Sequence, residues 1–112
     1  MIISTNGFMN ESLTLNGDAS LQFGEVVKIS DNNTVAACAD GDAFCGIISH
    51  EKNGICAVQL HGTVTVPFTG TAPKAGYVKL CADGAKGVKS GTGREYLVLS
   101  VNSVNGTVTF IL

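Results

Sequence analysis

An internal repeat is the feature of this sequence that most constrains its fold. At a constant spacing of 52 residues, Gly24 matches Gly76, Val26 matches Val78, and Asn53-Gly54 matches Asn105-Gly106. The same spacing also relates Phe44 to Tyr96, Ile47 to Leu99, Val58 to Phe110 and Leu60 to Leu112. The repeat predicts two similar halves, residues 9–60 and 61–112. A half of this length cannot bury its apolar face alone, so we expect both halves to close on each other within one domain, 1–112.

Composition and local pattern predict an all-β fold. Val, Ile and Thr supply 29 of the 112 residues and glycine supplies 14. Side chains branched at Cβ suit pleated sheets, and frequent glycines interrupt helices. The segment 12–15 alternates polar and apolar residues as a half-buried strand does. We therefore expect a small β-barrel or a tightly packed β-sandwich with little or no helix.

The Asn-Gly pairs predict the register of two hairpins, because Asn-Gly favours tight two-residue turns. A turn at Asn53-Gly54 would place Ile47 opposite Leu60 and Ser49 opposite Val58. A turn at Asn105-Gly106 would place Leu99 opposite Leu112 and Val101 opposite Phe110. In the second hairpin the expected inward residues are Leu97, Leu99, Val101, Val108, Phe110 and Leu112, with Tyr96 and Ser100 facing outward.

The charge content bears on the class of partner. Charged residues make up 14% of the chain and the net charge is −2, which argues against a nucleic-acid partner. No apolar run reaches the length of roughly 20 residues that a membrane helix needs, so no membrane partner is expected. The N-terminus has no secretory pattern, which predicts synthesis inside the cell. A surface with so few charges is poorly protected against association. We therefore expect part of it to be covered by a partner or by further copies of the chain.

The charges are also divided unevenly between the halves. Residues 1–60 carry seven acids and two bases, a net charge of −5, whereas residues 61–112 carry five bases and two acids, a net charge of +3. Opposite charges at two ends favour head-to-tail contact, the geometry that builds rings such as trimers.

The sequence offers little for catalysis or for a bound cofactor. His50 and His61 have no convergent partners, and the four cysteines form no Cys-x-x-Cys pair. We expect reduced, buried thiols, no metal and no enzymatic activity. The acidic runs 31–33 and 40–42 fit Asx-rich turns better than a calcium loop. Segment 87–94 has the glycines and cations of a phosphate loop without its Gly-Lys-Ser/Thr ending, and is expected to be a surface loop.

Two segments and several cations are candidate contacts with other proteins. The N-terminal arm, residues 1–10, could add a strand to a sheet edge on another protein; the alternative is a frayed terminus. The segment 68–76 is either a contact loop or a plain crossover between the halves. The candidate contact residues are Ile2, Ile3, Phe8, Phe68, Lys74, Lys86, Lys89 and Arg94.

Four segments carry a resemblance to a known group of proteins. They are Gly24-Glu25-Val26-Val27-Lys28, Gly41-Asp42-Ala43-Phe44-Cys45-Gly46-Ile47, Val58-Gln59-Leu60-His61-Gly62-Thr63-Val64 and Ala75-Gly76-Tyr77-Val78-Lys79-Leu80. Across residues 24–112 the chain resembles small β-barrel capsid-decoration, or cement, proteins encoded beside capsid genes in tailed phages and prophages. The resemblance implies a non-enzymatic virion component, made in the bacterial cytoplasm, that binds the major capsid protein on the outside of the head, often as a homotrimer.

A binding module for carbohydrate or another cell-surface ligand is the alternative. Tyr77, Tyr96 or Phe68 would then serve as stacking platforms on exposed strands. The absence of Trp and an aromatic content of 6% weigh against this alternative.

Overall fold

The computed structural model describes residues 11–112, which form nine β-strands and no helix. The strands are β1 (Glu11–Asn16), β2 (Val26–Asp31), β3 (Thr34–Ala37), β4 (Gly46–Lys52), β5 (Ile55–His61), β6 (Thr63–Pro67), β7 (Gly76–Ala82), β8 (Val88–Asn102) and β9 (Thr107–Ile111). The predicted all-β fold is confirmed. Within this part of the chain, no helix is long and apolar enough to span a bilayer.

The first half folds into a closed five-stranded barrel with the strand order β1-β3-β2-β4-β5. β1 runs antiparallel to β5, where Leu15 lies opposite Cys56, and its last residue, Asn16, meets Thr34 of β3 in a parallel pair that closes the barrel. Polar and apolar residues alternate along β1, so Leu15 is buried while Thr14 faces solvent.

The second half forms a four-stranded sheet with the order β6-β9-β8-β7. Its strands pair as those of the barrel do: β6 pairs with β9 as β1 does with β5. The long strand β8 pairs with β7 through both of its parts, as β3 and β4 both pair with β2. A parallel bridge between Phe68 and Val88 takes the place of the pair between Asn16 and Thr34. The two halves therefore pair their strands in a similar order, although the first closes into a barrel and the second is a four-stranded sheet.

The predicted register of the first hairpin is wrong by one residue. Ile48, not Ser49, faces Val58, and Ile47 faces Gln59, because a β-bulge interrupts the pairing between Ile48 and His50. An extra residue in one strand turns every side chain beyond it to the other face.

The predicted register of the second hairpin is also wrong. Val98, not Val101, faces Phe110. The turn is longer than two residues because the side chain of Asn102 accepts hydrogen bonds from the backbone N–H groups of Val104 and Asn105. A bulge between Val98 and Ser100 completes the shift. Tyr96 is consequently buried, with 3% of its surface exposed, and Leu99 faces outward with 37% exposed.

Two clusters of buried side chains make up the core of the described residues. The smaller lies within the barrel and contains Leu15, Leu21, Val27, Val35, Ile48, Cys56 and Val58. The larger belongs mainly to the second sheet but includes Val26, Phe44 and Ile47 of the first half. We call it the shared core, because both halves contribute to it.

Candidate functional site

An open apolar cavity of about 610 Å³ lies on the barrel. We call it the groove; its lining is Leu13, Leu15, Ile29, Cys45 and Leu60, with the polar turn Ser30, Asp31, Asn32 and Asn33 at one side. Every one of these residues belongs to the first half. Leu13 and Ile29 leave 52% and 54% of their surfaces exposed. Exposed aliphatic side chains gathered around one concavity are typical of a binding surface.

The corresponding positions of the second sheet are covered. Leu13 faces Val58 in the barrel as Val64 faces Phe110 in the second sheet. Val64 is only 7% exposed, because Val26, Phe44 and Ile47 of the first half pack with it in the shared core.

Phe44 forms the centre of this cover. Its ring stacks on that of Tyr96 with centroids 5.1 Å apart and an angle of 7° between the planes, and it meets Phe110 edge-on at 6.0 Å. The hydroxyl of Tyr96 donates a hydrogen bond to the backbone carbonyl of Phe44 at 3.3 Å. Burial raises the pKa of the Tyr96 phenol.

A second apolar surface lies on the outside of the second sheet. Tyr77, Leu97 and Ile111 stand opposite one another across β7, β8 and β9, and we call them the outer row. Tyr77 is 71% exposed, while Leu97 and Ile111 are half-buried. Lys79, two residues along the strand from Tyr77, is exposed on the same face.

The pair in the barrel that corresponds to Tyr77 and Leu97 is buried. Val26 faces Ile47 across β2 and β4 as Tyr77 faces Leu97 across β7 and β8. Val26 and Ile47 are 1% and 6% exposed because they pack in the shared core. One half thus uses this face for packing, and the other half presents it to solvent.

Two of the predicted contact cations lie at the junction of the halves. Lys89 forms an ion pair with Asp40, and the ammonium of Lys86 donates a hydrogen bond to the side-chain carbonyl of Gln22. Hydrogen bonding to Asp40 raises the pKa of Lys89. Both cations therefore already join the second half to the first.

The remaining predicted contact residues are scattered. Phe68 is half-buried and packs against the shared core, and Lys74 is exposed between β6 and β7. The exposed guanidinium of Arg94 lies 5.2 Å from the centre of the Tyr96 ring. The structure does not bring these side chains into one patch. Ile2, Ile3 and Phe8 lie outside the described residues.

Asp31 and Asp42, in segments 31–33 and 40–42, accept hydrogen bonds from other groups of the chain. Asp42 accepts hydrogen bonds from the ammonium of Lys28 at 2.6 Å and from the backbone N–H of Ala39 at 2.9 Å. The Lys28 contact holds the pKa of Asp42 below its usual value, and the same contact raises the pKa of Lys28. Asp31 accepts a hydrogen bond from the N–H of Asn32. Within residues 11–112, no three His, Cys, Asp or Glu side chains are grouped as metal ligands.

The four cysteines carry free thiols. Cys56 and Cys81 are buried as expected, whereas Cys38 and Cys45 are half-buried. Burial raises the pKa of Cys38 to about 11 and also raises that of Cys45. A raised pKa leaves little thiolate at neutral pH, so these thiols are poor nucleophiles.

Segment 87–94 is not the surface loop that its glycines and cations predict. Most of it belongs to β8, where Ser90 pairs with Leu80 and Lys89 with Cys81. Glycine-rich segments are readily taken for loops, but β7 supplies strand partners for residues 88–90, and residues 91–94 form an irregularity in the register before the pairing resumes at Glu95.

Sequence reasoning missed the groove and the outer row. At the 52-residue spacing Leu13 matches Thr65 and Tyr77 matches Glu25, so the sequence repeat gives no signal for either surface. The strand pairing gives it, because positions that are paired alike in the two halves but differ in burial identify surfaces covered in one half and open in the other. No known family model matches the chain, and no curated protein sequence matches it.

Proposed function

We propose that this chain is a phage structural protein that binds the outer surface of a capsid and stabilises the head without catalysing a reaction. Its partners would be the major capsid protein and further copies of itself. The observation that carries the proposal is the presence of two exposed apolar surfaces, the groove and the outer row, on a body of 40 × 28 × 22 Å with few charges. The sequence resemblance described above supports the same function.

A small β-body suits attachment to a repeating shell. Its closed barrel and shared core make it rigid, so little conformational entropy is lost when it is held between neighbours. Many copies on one lattice engage several weak contacts together, and such multivalent contact makes each one effective.

Exposed cations offer a second kind of contact. Lys74 and Arg94 are exposed on the half with positive net charge, and we expect them to meet acidic groups on the shell. Lys86 and Lys89 would act indirectly, by fixing the second half against the first. The arm of residues 1–10, with Ile2, Ile3 and Phe8, is proposed to add a strand to a capsid sheet edge.

Co-sedimentation with undecorated heads tests the proposal. The heads are assembled from the major capsid protein encoded nearest to this chain's own gene. We expect saturable binding and a higher temperature of head disruption. The double variant Lys74→Glu/Arg94→Glu should bind more weakly, whereas Lys52→Glu, a charge reversal on the acidic half, should bind nearly normally. Heads that retain no protein at any concentration would overturn the proposal.

Tyr77 favours a second candidate, a carbohydrate-binding module. Its ring is 71% exposed on the outer face of β7, as a sugar-stacking platform requires. Tyr96 cannot play that part because it is buried against Phe44. A saturable hit on a glycan array that Tyr77→Ala abolishes would support this function over capsid attachment.

A further inference from the structure

We propose that the groove of one copy receives the outer row of a second copy of this chain, so that copies associate head to tail. The inference does not rest on attachment to a capsid, since it follows from the surfaces of the chain itself.

A buried cluster within one chain already brings together residues of the two halves. Val26 and Ile47 of the barrel and the neighbouring Phe44 belong to the same buried cluster as Val64 and Leu112 of the second sheet. Those two positions correspond to Leu13 and Leu60 of the groove. The face that covers the second sheet corresponds to Tyr77 and Leu97 of the outer row. Within one chain, the counterpart of the outer row and the counterpart of the groove are therefore buried in the same cluster.

Among residues 11–112, each copy has one exposed surface of each kind that no other part of this range covers. Leu13 and Ile29 in the groove are about half exposed, and Tyr77 in the outer row is 71% exposed. Repeating the internal contact between copies would bury both surfaces. Burial of apolar surface stabilises association by about 25 cal/mol for each Å² removed from water.

The groove and the outer row also differ in the sign of the charge beside them. Asp31 lies at the polar side of the groove, in the half with net charge −5, whereas Lys79 lies beside Tyr77 in the half with net charge +3. Opposite charges steer the two surfaces together and disfavour contact between two grooves or two outer rows.

The two surfaces differ from each other, so the contact is heterologous. A heterologous contact leaves one groove and one outer row free at the ends of every open chain of copies. It therefore continues until a ring closes or a filament grows. We expect a closed ring of a few copies.

Single substitutions on each surface test the proposal in the full chain. Ile29→Glu places a charge in the groove and Tyr77→Glu places one in the outer row. Phe23→Glu and Val104→Glu are the controls, because Phe23 and Val104 are 83% and 94% exposed and belong to neither surface. Circular dichroism and thermal unfolding establish that each variant is folded.

Sedimentation velocity and light scattering give the masses. We expect the wild-type chain and both controls to form oligomers at tens of micromolar, and each surface variant to be monomeric at the same concentration. The Ile29→Glu variant keeps an intact outer row and Tyr77→Glu keeps an intact groove. An equimolar mixture of the two should therefore form a dimer and stop there.

Several outcomes would overturn the proposal. One is a wild-type chain that stays monomeric up to millimolar concentration. Another is a mixture of the two variants that stays monomeric while each variant is folded. In a monomeric chain, an Ile29→Cys variant that resists maleimide would assign the groove to the chain's own residues 1–10. Binding to heads is measured separately, so its failure would leave this result unaffected.

Discussion

Phe44 and Tyr96, which stand 52 residues apart, stack their rings at a centroid distance of 5.1 Å across the junction of the two halves. The 52-residue spacing matches them in sequence, whereas the strand pairing matches Tyr96 with Gly46, so the stack joins different points of the two halves. Both rings also meet Phe110 edge-on within the shared core.

Removing the Phe44 ring should destabilise the whole protein. Phe44→Ala leaves a cavity between Tyr96 and Phe110, and we expect it to lower the free energy of unfolding by about 3–5 kcal/mol. Urea denaturation measures the loss. Phe23→Ala is the matched control, because the 83% exposed Phe23 ring should contribute less than about 0.5 kcal/mol. Equal effects of the two variants would show that the Phe44 contact does not join the halves.

Gly46 lies at a close approach between two strands. A Cβ atom at this position would lie 2.5 Å from the backbone carbonyl oxygen of Gln59 and 2.8 Å from Val58. Gly46→Ala should therefore force β4 and β5 apart and cost about 1–3 kcal/mol of stability. Gly91→Ala on β8 is the control, since its Cβ would meet only the Cys81 sulfur, at 3.2 Å. Thermal unfolding of both variants is the measurement, and a Gly46→Ala protein as stable as the control would contradict the packing described.

The Lys28–Asp42 pair should make stability depend on pH. The folded-state pKa of Asp42 is lowered from 3.8 because it accepts a hydrogen bond from Lys28. Its contribution is therefore present above pH 3.8 and is lost as the pH falls through the lowered pKa. We expect Asp42→Asn to be less stable than the wild type at pH 7 and equally stable in strong acid. Denaturation midpoints between pH 2 and 7 measure the difference; a constant difference would exclude the ionic contribution.

Cys38 should react slowly with alkylating reagents. Its pKa is raised to about 11, chiefly because it is partly buried. At pH values below this pKa, each increase of one pH unit should raise the thiolate fraction about tenfold, and the alkylation rate should rise with it. Mass spectrometry of iodoacetamide-treated protein between pH 7 and 10 measures the rate at each cysteine. A rate at Cys38 that levels off below pH 9 would contradict the raised pKa.

Local sequence pattern was sufficient to predict the fold class but not the hairpin registers. Side chains branched at Cβ, the alternation of polar and apolar residues, and Asn-Gly turns all favour β-structure, because each influences the local backbone conformation. The registers depend on the bulges at Ser49 and Leu99 and on the side chain of Asn102, which captures two backbone N–H groups. A bulge adds one residue to one strand without a distinctive local pattern. The sequence pattern therefore predicts an outward-facing Tyr96, although the side chain is buried.

The candidate site was harder to predict because it depends on contacts between residues far apart in sequence. The sequence identifies Lys86 and Lys89 as cations but does not show that Gln22 and Asp40 already contact them. Alternation places Leu13 and Leu15 on different sides from Thr14, yet only the packing of the other half determines whether a leucine is covered. Leu13 and Val64 have corresponding places in their sheets and differ in exposure, because Val64 belongs to the shared core whereas Leu13 lines the open groove.

Electron cryomicroscopy of heads saturated with the purified protein tests the proposed function most directly. We expect ordered density on the outer surface, following the head's symmetry, in which bodies of about 40 × 28 × 22 Å contact the shell. Neighbouring bodies should meet groove to outer row. Bare shells after incubation with excess folded protein would overturn the proposed function.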